Sequence, residues 1–417
     1  MSRKNFILII SAIILLILGG LIFFYISSSK NVAPQNNTTE NINPFGGAAQ
    51  NKTGTTTFTN QPQNQISTET ATNTNKLIQL YKNPTSGSVF FLNNKGQDVI
   101  RFVDRAVGNV YEYLPSSQTG EVQRITNTTI PKIQETIWSS SGKDLVLRFL
   151  DGDSDNIDSF MSQIKTNSTS TGEIGELTGS FLATNIEQLN ISPNKDKIFG
   201  IISKSDNSGT FGFMENLDGT GKKTVFDSPI SYWNISWPKT STITFNTKPN
   251  YQDPGLLYFF NTQNYSMTRI LGDIVGLSSK TNKNADLVAY SFSQNNSFSL
   301  DIYDVVNKTS RGLSIPTLAD KCVWSDNNTN TIYCAIPRSI TPDNYPDAWY
   351  QGLESFSDDI WKIDTQKEII QQIYRVGMNE NVSIDALNLV ISPDDKYLAF
   401  TNKNDLSLWL LDISNNN

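Results

Sequence analysis

Apolar and polar positions fall into three patterns along the chain. From residue 6 to residue 26 the sequence FILIISAIILLILGGLIFFYI runs for 21 residues without a charge. That is long enough to cross about 30 Å of hydrocarbon as a helix. A core helix would carry a polar stripe. A cleaved leader would have a shorter apolar run ending in a small-x-small site. The pattern predicts a transmembrane helix, with cleavage after the serines at 27–29 as the competing reading. Arg3 and Lys4 precede the block and only Lys30 follows closely. That asymmetry puts the amino terminus in the cytoplasm and the bulk of the chain outside, as a single-pass protein of the cell membrane.

Residues 31–75 show no apolar periodicity and are dominated by Asn, Thr, Gln, Gly and Pro. Such a stretch buries too little surface to offset its ordering entropy, so it reads as a disordered tether. A flexible chain of that length spans roughly 35–40 Å.

The third pattern begins at Lys76 and continues to the end. Short runs rich in β-branched and aromatic residues, such as 89–92 (VFFL), 99–103 (VIRFV), 145–150 (LVLRFL) and 257–260 (LYFF), alternate with clusters of Asn, Asp, Gly, Ser and Lys. These are strands separated by turns, and no long amphipathic helix interrupts them. A unit of apolar strand, tight polar turn and second apolar strand recurs. It includes Ile137-Trp138-Ser139, Ile191-Ser192-Pro193, Ile235-Ser236-Trp237-Pro238, Leu277-Ser278-Ser279-Lys280, Val323-Trp324-Ser325 and Ile391-Ser392-Pro393. From Trp138 through Ile191, Trp237, Leu277 and Trp324 to Ile391 the steps are 53, 46, 40, 47 and 67 residues. Propeller blades of four strands repeat about every 40–50 residues. A further unit precedes Trp138, over roughly 86–126, which makes seven. The last unit shows three strands, and Leu77-Ile78-Gln79-Leu80-Tyr81 is left over at the front. That strand can complete the last blade and close the ring. The expectation is an all-β propeller over 76–417, of seven blades with four antiparallel strands each; six and eight are alternatives.

Ser192-Pro193-Asn194-Lys195-Asp196 and Ser392-Pro393-Asp394-Asp395-Lys396-Tyr397-Leu398-Ala399-Phe400 resemble the S-P-D-G-K-x-[LI]-A-[FY] repeat of TolB-like and WD40-like propellers. Both copies lack its glycine. The chain is also similar to membrane-anchored extracytoplasmic propeller proteins of small-genome bacteria, through Asn127-Thr128-Thr129-Ile130-Pro131, Gly175-Glu176-Leu177-Thr178-Gly179, Thr247-Lys248-Pro249, Lys321-Cys322-Val323-Trp324-Ser325 and the stretch from Tyr345 to Trp361. The resemblance implies fold and location, and no catalytic residues.

Composition narrows the chemistry. The 417 residues include no histidine and two cysteines. This removes Ser-His-Asp triads, Cys-His pairs and histidine-ligated metals, and two cysteines cannot build a four-thiolate zinc site. No cofactor or metal is expected. Lys and Arg total 33 and Asp and Glu total 40, a net of −7. Residues 1–30 hold Arg3, Lys4, Lys30 and no acid, which leaves 30 against 40 in the rest, a net of −10. Such a surface repels nucleic acid.

Two constellations carry candidate chemistry. Cys322 and Cys334 lie at equal distance from a turn centred on residue 328, so an antiparallel hairpin brings them opposite each other on one face. Outside the membrane that pairing predicts a disulfide. The sixth unit carries the longest insertion, about 20 residues, where Asp343, Tyr345, Asp347, Trp349, Tyr350 and Gln351 mix aromatic faces with polar edges. Loops on a propeller's faces carry binding, and this mixture suits a sugar or a peptide. The competing reading has those aromatics anchoring the insertion itself as a hydrophobic plug. Asp151-Gly152-Asp153-Ser154-Asp155 departs from the calcium-loop pattern and reads as a hairpin turn. The expected function is a non-enzymatic, monomeric binding or scaffold module for an envelope protein, a peptide or a glycan. The alternative is a carboxylate-dependent glycoside hydrolase or lyase, which needs two Asp/Glu side chains and no histidine.

Overall fold

Seven four-stranded antiparallel sheets follow one another around a ring in the computed structural model, which describes residues 77–117, 120–152, 156–165, 174–377 and 382–414. The first strand, β1 (Leu77–Tyr81), is set aside until the end. Blade 1 holds β2 (Thr85–Leu92), β3 (Asp98–Asp104), β4 (Val110–Tyr113) and β5 (Gln123–Arg124). Blade 2 holds β6 (Ile133–Trp138), β7 (Asp144–Leu150), β8 (Ile157–Lys165) and β9 (Glu176–Phe181). Blade 3 holds β10 (Ile186–Ile191), β11 (Lys197–Ser203), β12 (Thr210–Asn216) and β13 (Lys223–Ser228). Blade 4 holds β14 (Trp233–Lys239), β15 (Thr242–Thr247), β16 (Pro254–Asn261) and β17 (Met267–Val275). Blade 5 holds β18 (Ser278–Thr281), β19 (Leu287–Gln294), β20 (Ser297–Asp304) and β21 (Thr309–Ile315). Blade 6 holds β22 (Cys322–Trp324), β23 (Thr331–Pro337), β24 (Asp358–Asp364) and β25 (Ile369–Tyr374). Blade 7 holds β26 (Ala386–Ile391), β27 (Tyr397–Asn402) and β28 (Leu408–Asp412), and β1 completes it. The chain folds as a seven-bladed β-propeller.

The ring closes where the leftover strand predicts. β1 pairs antiparallel with β28, with Leu77 opposite Leu411 and Ile78 opposite Leu410. All described residues belong to the compact unit Pro62–Asn417. The expected membrane helix at 6–26 and the tether at 31–75 lie outside the described residues. Among the described residues no helix is long and apolar enough to cross a membrane.

The core lies between neighbouring blades, because each sheet has two faces to cover. Middle strands covered on both sides read as continuous apolar runs, and β23 (TIYCAIP) is buried at every position. The interface of blades 3 and 4 is aromatic: Phe245 lies 4.6 Å from Phe226, 5.5 Å from Trp233 and 5.6 Å from Phe199, ring centre to ring centre.

The repeated turn has one mechanism. Ser139, Ser192, Asn282 and Ser392 each accept backbone N–H groups from the turn they open. Three residues on, Gly142, Lys195, Ala285 and Asp395 hold φ near +60°. In the two proline-bearing copies the left-handed residue stands two places after the proline, where the resembled repeat has glycine. A left-handed backbone costs a residue with a Cβ roughly 1–2 kcal/mol. Ala285→Gly and Lys195→Gly are each expected to stabilise the fold by about 0.5–1 kcal/mol, read as a higher urea midpoint with an unchanged slope. The sequence expectation of a turn in every unit needs correction in blades 4 and 5. Ser236–Lys239 and Ser278–Lys280 are strand rather than turn.

The seam between blades 1 and 7 carries a titrating pair. Burial, and then the Asp394 carboxyl beside it, push Asp98 up to about 7. A folded-state value above the unfolded one means that the folded form binds the extra proton. The stability from this group is therefore complete below pH 4 and is lost as pH rises through about 7. Asp98→Asn is expected to flatten that slope and to raise stability at pH 8 by about 2 kcal/mol, measured by urea unfolding across pH.

Candidate functional site: the mouth of the central channel

Antiparallel strands send successive connections to opposite faces of the ring. The insertion joins the second and third strands of blade 6, so it shares a face with the segments that enter each blade's first strand. On that face a 3₁₀ turn, Ala319–Lys321, leads into β22, and a short helix α1 (Asp347–Tyr350) lies within the insertion. Cys322 and Cys334 stand opposite each other in the β22–β23 ladder and are joined by a disulfide, as their spacing predicts.

A buried ion cluster seats the insertion. Lys321 is wholly enclosed, with Nζ 2.8 Å from Asp358 Oδ2 and 2.5 Å from Asp385 Oδ1. It also donates to the Ala386 carbonyl and lies over the rings of Trp349 and Phe356. Asp385 accepts from the Trp349 indole N–H at 2.9 Å, from Ser355 Oγ and from the Phe356 amide. Asp358 accepts from the Ala386 amide. Burial raises Asp358 to about 6, against the opposing pull of Lys321. These contacts tie the 3₁₀ turn, the insertion and blade 7 into one body.

The six insertion residues have separate places. Tyr345 and Trp349 are 1% and 4% exposed and pack with Phe298, Leu318, Ala348 and Phe356. Burial pushes the Tyr345 hydroxyl up to about 12, and it donates to the Thr341 carbonyl. Asp347 accepts from the Tyr251 amide at 2.8 Å. Asp343 is half-buried at the rim, beside Asn296. Gln351 is exposed. Tyr350 is 40% exposed and reaches inward, its hydroxyl donating to Asp320 Oδ2 at 2.6 Å.

Asp320 borders a cavity of about 280 Å³ whose wall is Gln188, Asn234, Ser236, Asn246, Ser279 and Lys280, with few apolar atoms. First strands of neighbouring blades touch around the ring, but β14 and β18 approach less closely, and the cavity opens between them. Several wall groups are already paired: Ser236 with Thr244 at 2.6 Å, and Ser279 with Asn246 at 3.0 Å. Lys280 is lowered by its enclosure in protein, and Asp320 acts the other way. Enclosure, then Asp320, holds the Tyr350 hydroxyl well above its ordinary value, although solvent reaches the ring. Surrounded yet wetted side chains are what a water-filled channel produces.

Gln188 and Asn234 also border a second cavity of about 580 Å³, together with Arg148, Glu187, Tyr232, Trp233 and Lys248. They form the sill between the two. Tyr232 is 65% exposed, with Lys248 Nζ 5.8 Å from its ring centre. Arg148 is committed to Glu135 and to the Ile186 and Glu187 carbonyls. Among the described residues no carboxylate lies within ion-pair distance of Lys248 or Lys280, and no three Cys, Asp or Glu side chains converge to hold a metal ion.

Sequence reasoning missed Lys280, Asp320, Lys321, Asp358 and Asp385. A lysine or aspartate standing directly before an apolar strand, as Lys321, Asp358 and Asp385 do, is the one signal that could have marked them. Lys280 was hidden because its segment reads as a turn.

No family model and no curated protein matches the chain. Solved structures do. An oligogalacturonate lyase in complex with manganese aligns with a TM-score of 0.50 at 12% identity, over 81% of this chain and 98% of that one. The β-propeller domain of the Trilobed protease from Pyrococcus furiosus aligns at 0.49 and 10% identity, over 78% and 95%. TolB from Acinetobacter baumannii aligns at 0.42 and 12% identity, over 69% and 65%. Likeness at this level is one of fold alone.

Proposed function

We propose that the protein is a membrane-tethered, extracytoplasmic propeller that binds its ligand at the channel mouth framed by the blade-6 insertion. The observation that carries this reading is two cavities that share Gln188 and Asn234, with Tyr232 bordering one and Tyr350 bonded to Asp320 in the wall of the other. Exposed aromatic faces beside amides, hydroxyls and a lysine suit recognition of a polar ligand. Of the six insertion residues, Tyr350 meets the ligand directly, and Tyr345 and Trp349 hold the frame. The membrane helix at 6–26 and the tether at 31–75 set the protein on the outer face of the cell membrane. The carboxylate-enzyme reading finds less support. The inner cavity offers one carboxylate, Asp320, while Asp358 and Asp385 are sealed against Lys321. The residues also do not fit the manganese named for the lyase of similar fold, since no three Cys, Asp or Glu side chains converge among the described residues.

The test presents the full chain to cell-wall glycan fractions and to detergent-solubilised envelope proteins. Retention that falls at least tenfold in Tyr350→Ala and in Asn234→Ala supports the reading. Retention unchanged in both variants, or no retention at all, overturns it. A tag at the carboxyl terminus that cannot be labelled from outside intact cells overturns the location.

A further inference from the structure

Lys280 is the feature of this molecule that its fold does not use. It stands on β18 in the wall of the inner cavity, in the gap between blades 4 and 5. Of the neighbouring cations, Lys321 is committed to Asp358 and Asp385, Arg148 to Glu135 and two carbonyls, and Lys248 lies over the Tyr232 ring at the edge of the other cavity. Among the described residues Lys280 has no carboxylate within ion-pair distance. The charged group that acts on it is Asp320 from the 3₁₀ turn, already the acceptor of the Tyr350 hydroxyl. The facing strands present Gln188, Asn234, Ser236, Asn246 and Ser279, all uncharged.

A lysine enclosed by protein in a cavity wall, with no carboxylate in ion-pair reach, is less favoured as an ammonium than one in open solvent, so a ligand that brings a negative charge gains more than it would there. The charge it brings is limited to one. A single ammonium faces it, and Asp320 repels any excess. The rest of the wall offers amides and hydroxyls in a space of about 280 Å³, room for one small ring. It provides no apolar pocket for a hydrocarbon side chain.

We infer that the inner cavity is a subsite for a sugar acid, a polyhydroxylated ring bearing one carboxylate, with Lys280 pairing the carboxylate and Gln188 and Asn234 reading the hydroxyls. This rests on the binding reading above and names its ligand class. Tyr350 closes over the ring from the insertion side. The neighbouring cavity, with Tyr232 and Lys248 at its edge, extends the same surface beyond the sill of Gln188 and Asn234 and takes the next residue of a longer chain.

The experiment is calorimetry on the full chain with D-glucuronate, D-glucose and acetate as separate probes. The expected result is that glucuronate binds at least tenfold more tightly than either of the others. Lys280→Gln should weaken glucuronate about tenfold and leave glucose unchanged. Lys280→Arg keeps the charge, and its retained binding shows that the Gln variant fails for charge and not for folding. The lysine must be protonated to pair the carboxylate. Affinity in the natural protein should therefore fall with rising pH before the ordinary lysine range, and stay flat in Lys280→Arg. Glucuronate no tighter than glucose, or unaffected by Lys280→Gln, overturns the inference. If the envelope fractions are still retained through Tyr350 in that case, only the ligand class has failed. If they are not retained either, the binding reading itself has failed.

Discussion

Lys321→Met is expected to destabilise the protein by about 3–5 kcal/mol at pH 8. The substitution roughly keeps volume but leaves Asp358 and Asp385 sealed together without a cation, and a buried uncompensated charge is among the most costly defects a core can carry. The loss should be smaller at pH 5. Burial already holds Asp358 near 6 with the lysine in place, and removal of the lysine drives it higher, so at pH 5 a proton neutralises it. The sign in the natural protein is the same: stability from Asp358 is complete below pH 4 and is lost as pH rises through about 6. The combined variant Lys321→Met, Asp358→Asn, Asp385→Asn should recover much of the loss and flatten the pH response. Because Asp385 holds the Trp349 indole, the single variant should also free the insertion, seen as proteolysis between residues 338 and 357 before global unfolding. A variant as stable at pH 8 as at pH 5 would count against the cluster as the seat of the insertion.

The closing strand carries the other large effect. Leu77 packs against the blade 6–7 core and Leu80 against the blade 7–1 core, so β1 touches both neighbours of the blade it completes. Replacing both by Ala is expected to cost about 5 kcal/mol, near the whole stability of a typical domain. A chain beginning at residue 83 should do worse, because β28 then becomes an open edge, ready to pair with another chain. Size-exclusion chromatography should show oligomers for the truncated chain and a monomer for the natural one. A monomeric truncated chain of natural stability would mean that the ring does not depend on its closure.

Much of this architecture was legible in one dimension. Strand runs such as VFFL, LVLRFL and LYFF read as strands because a sheet buried on both faces demands apolar residues at every position, and such runs survive any degeneracy of the turns. The disulfide was legible because the β-ladder puts residues equidistant from a turn on one face. The leftover strand at 77–81 was legible by counting, since a three-stranded last blade leaves an edge that only a fourth strand can cover. The site was not. Asp385, Asp358 and Lys321 meet across three elements separated by up to 64 residues, and no local pattern records that they will share one hole. Trp349 and Tyr350 are adjacent, yet one faces the core and the other the channel. Their sequence environment is the same, and the anchor that separates them, Asp385, comes from another blade.

The chain's sequence by itself determined that this is a ring of repeated four-stranded units, closed by its own first strand and stapled in blade 6, because strand periodicity, turn chemistry and ladder register are local rules. It also determined what no site here could be, since a chain without histidine has none to place. The tertiary structure decided which polar groups face the channel. It turned a segment that reads as a turn into the strand that carries Lys280, and it spent the insertion's tyrosine and tryptophan on packing while leaving Tyr350 at the mouth. Those outcomes depend on which blades become neighbours and how closely their inner strands approach, and that is a property of the closed ring rather than of any segment within it.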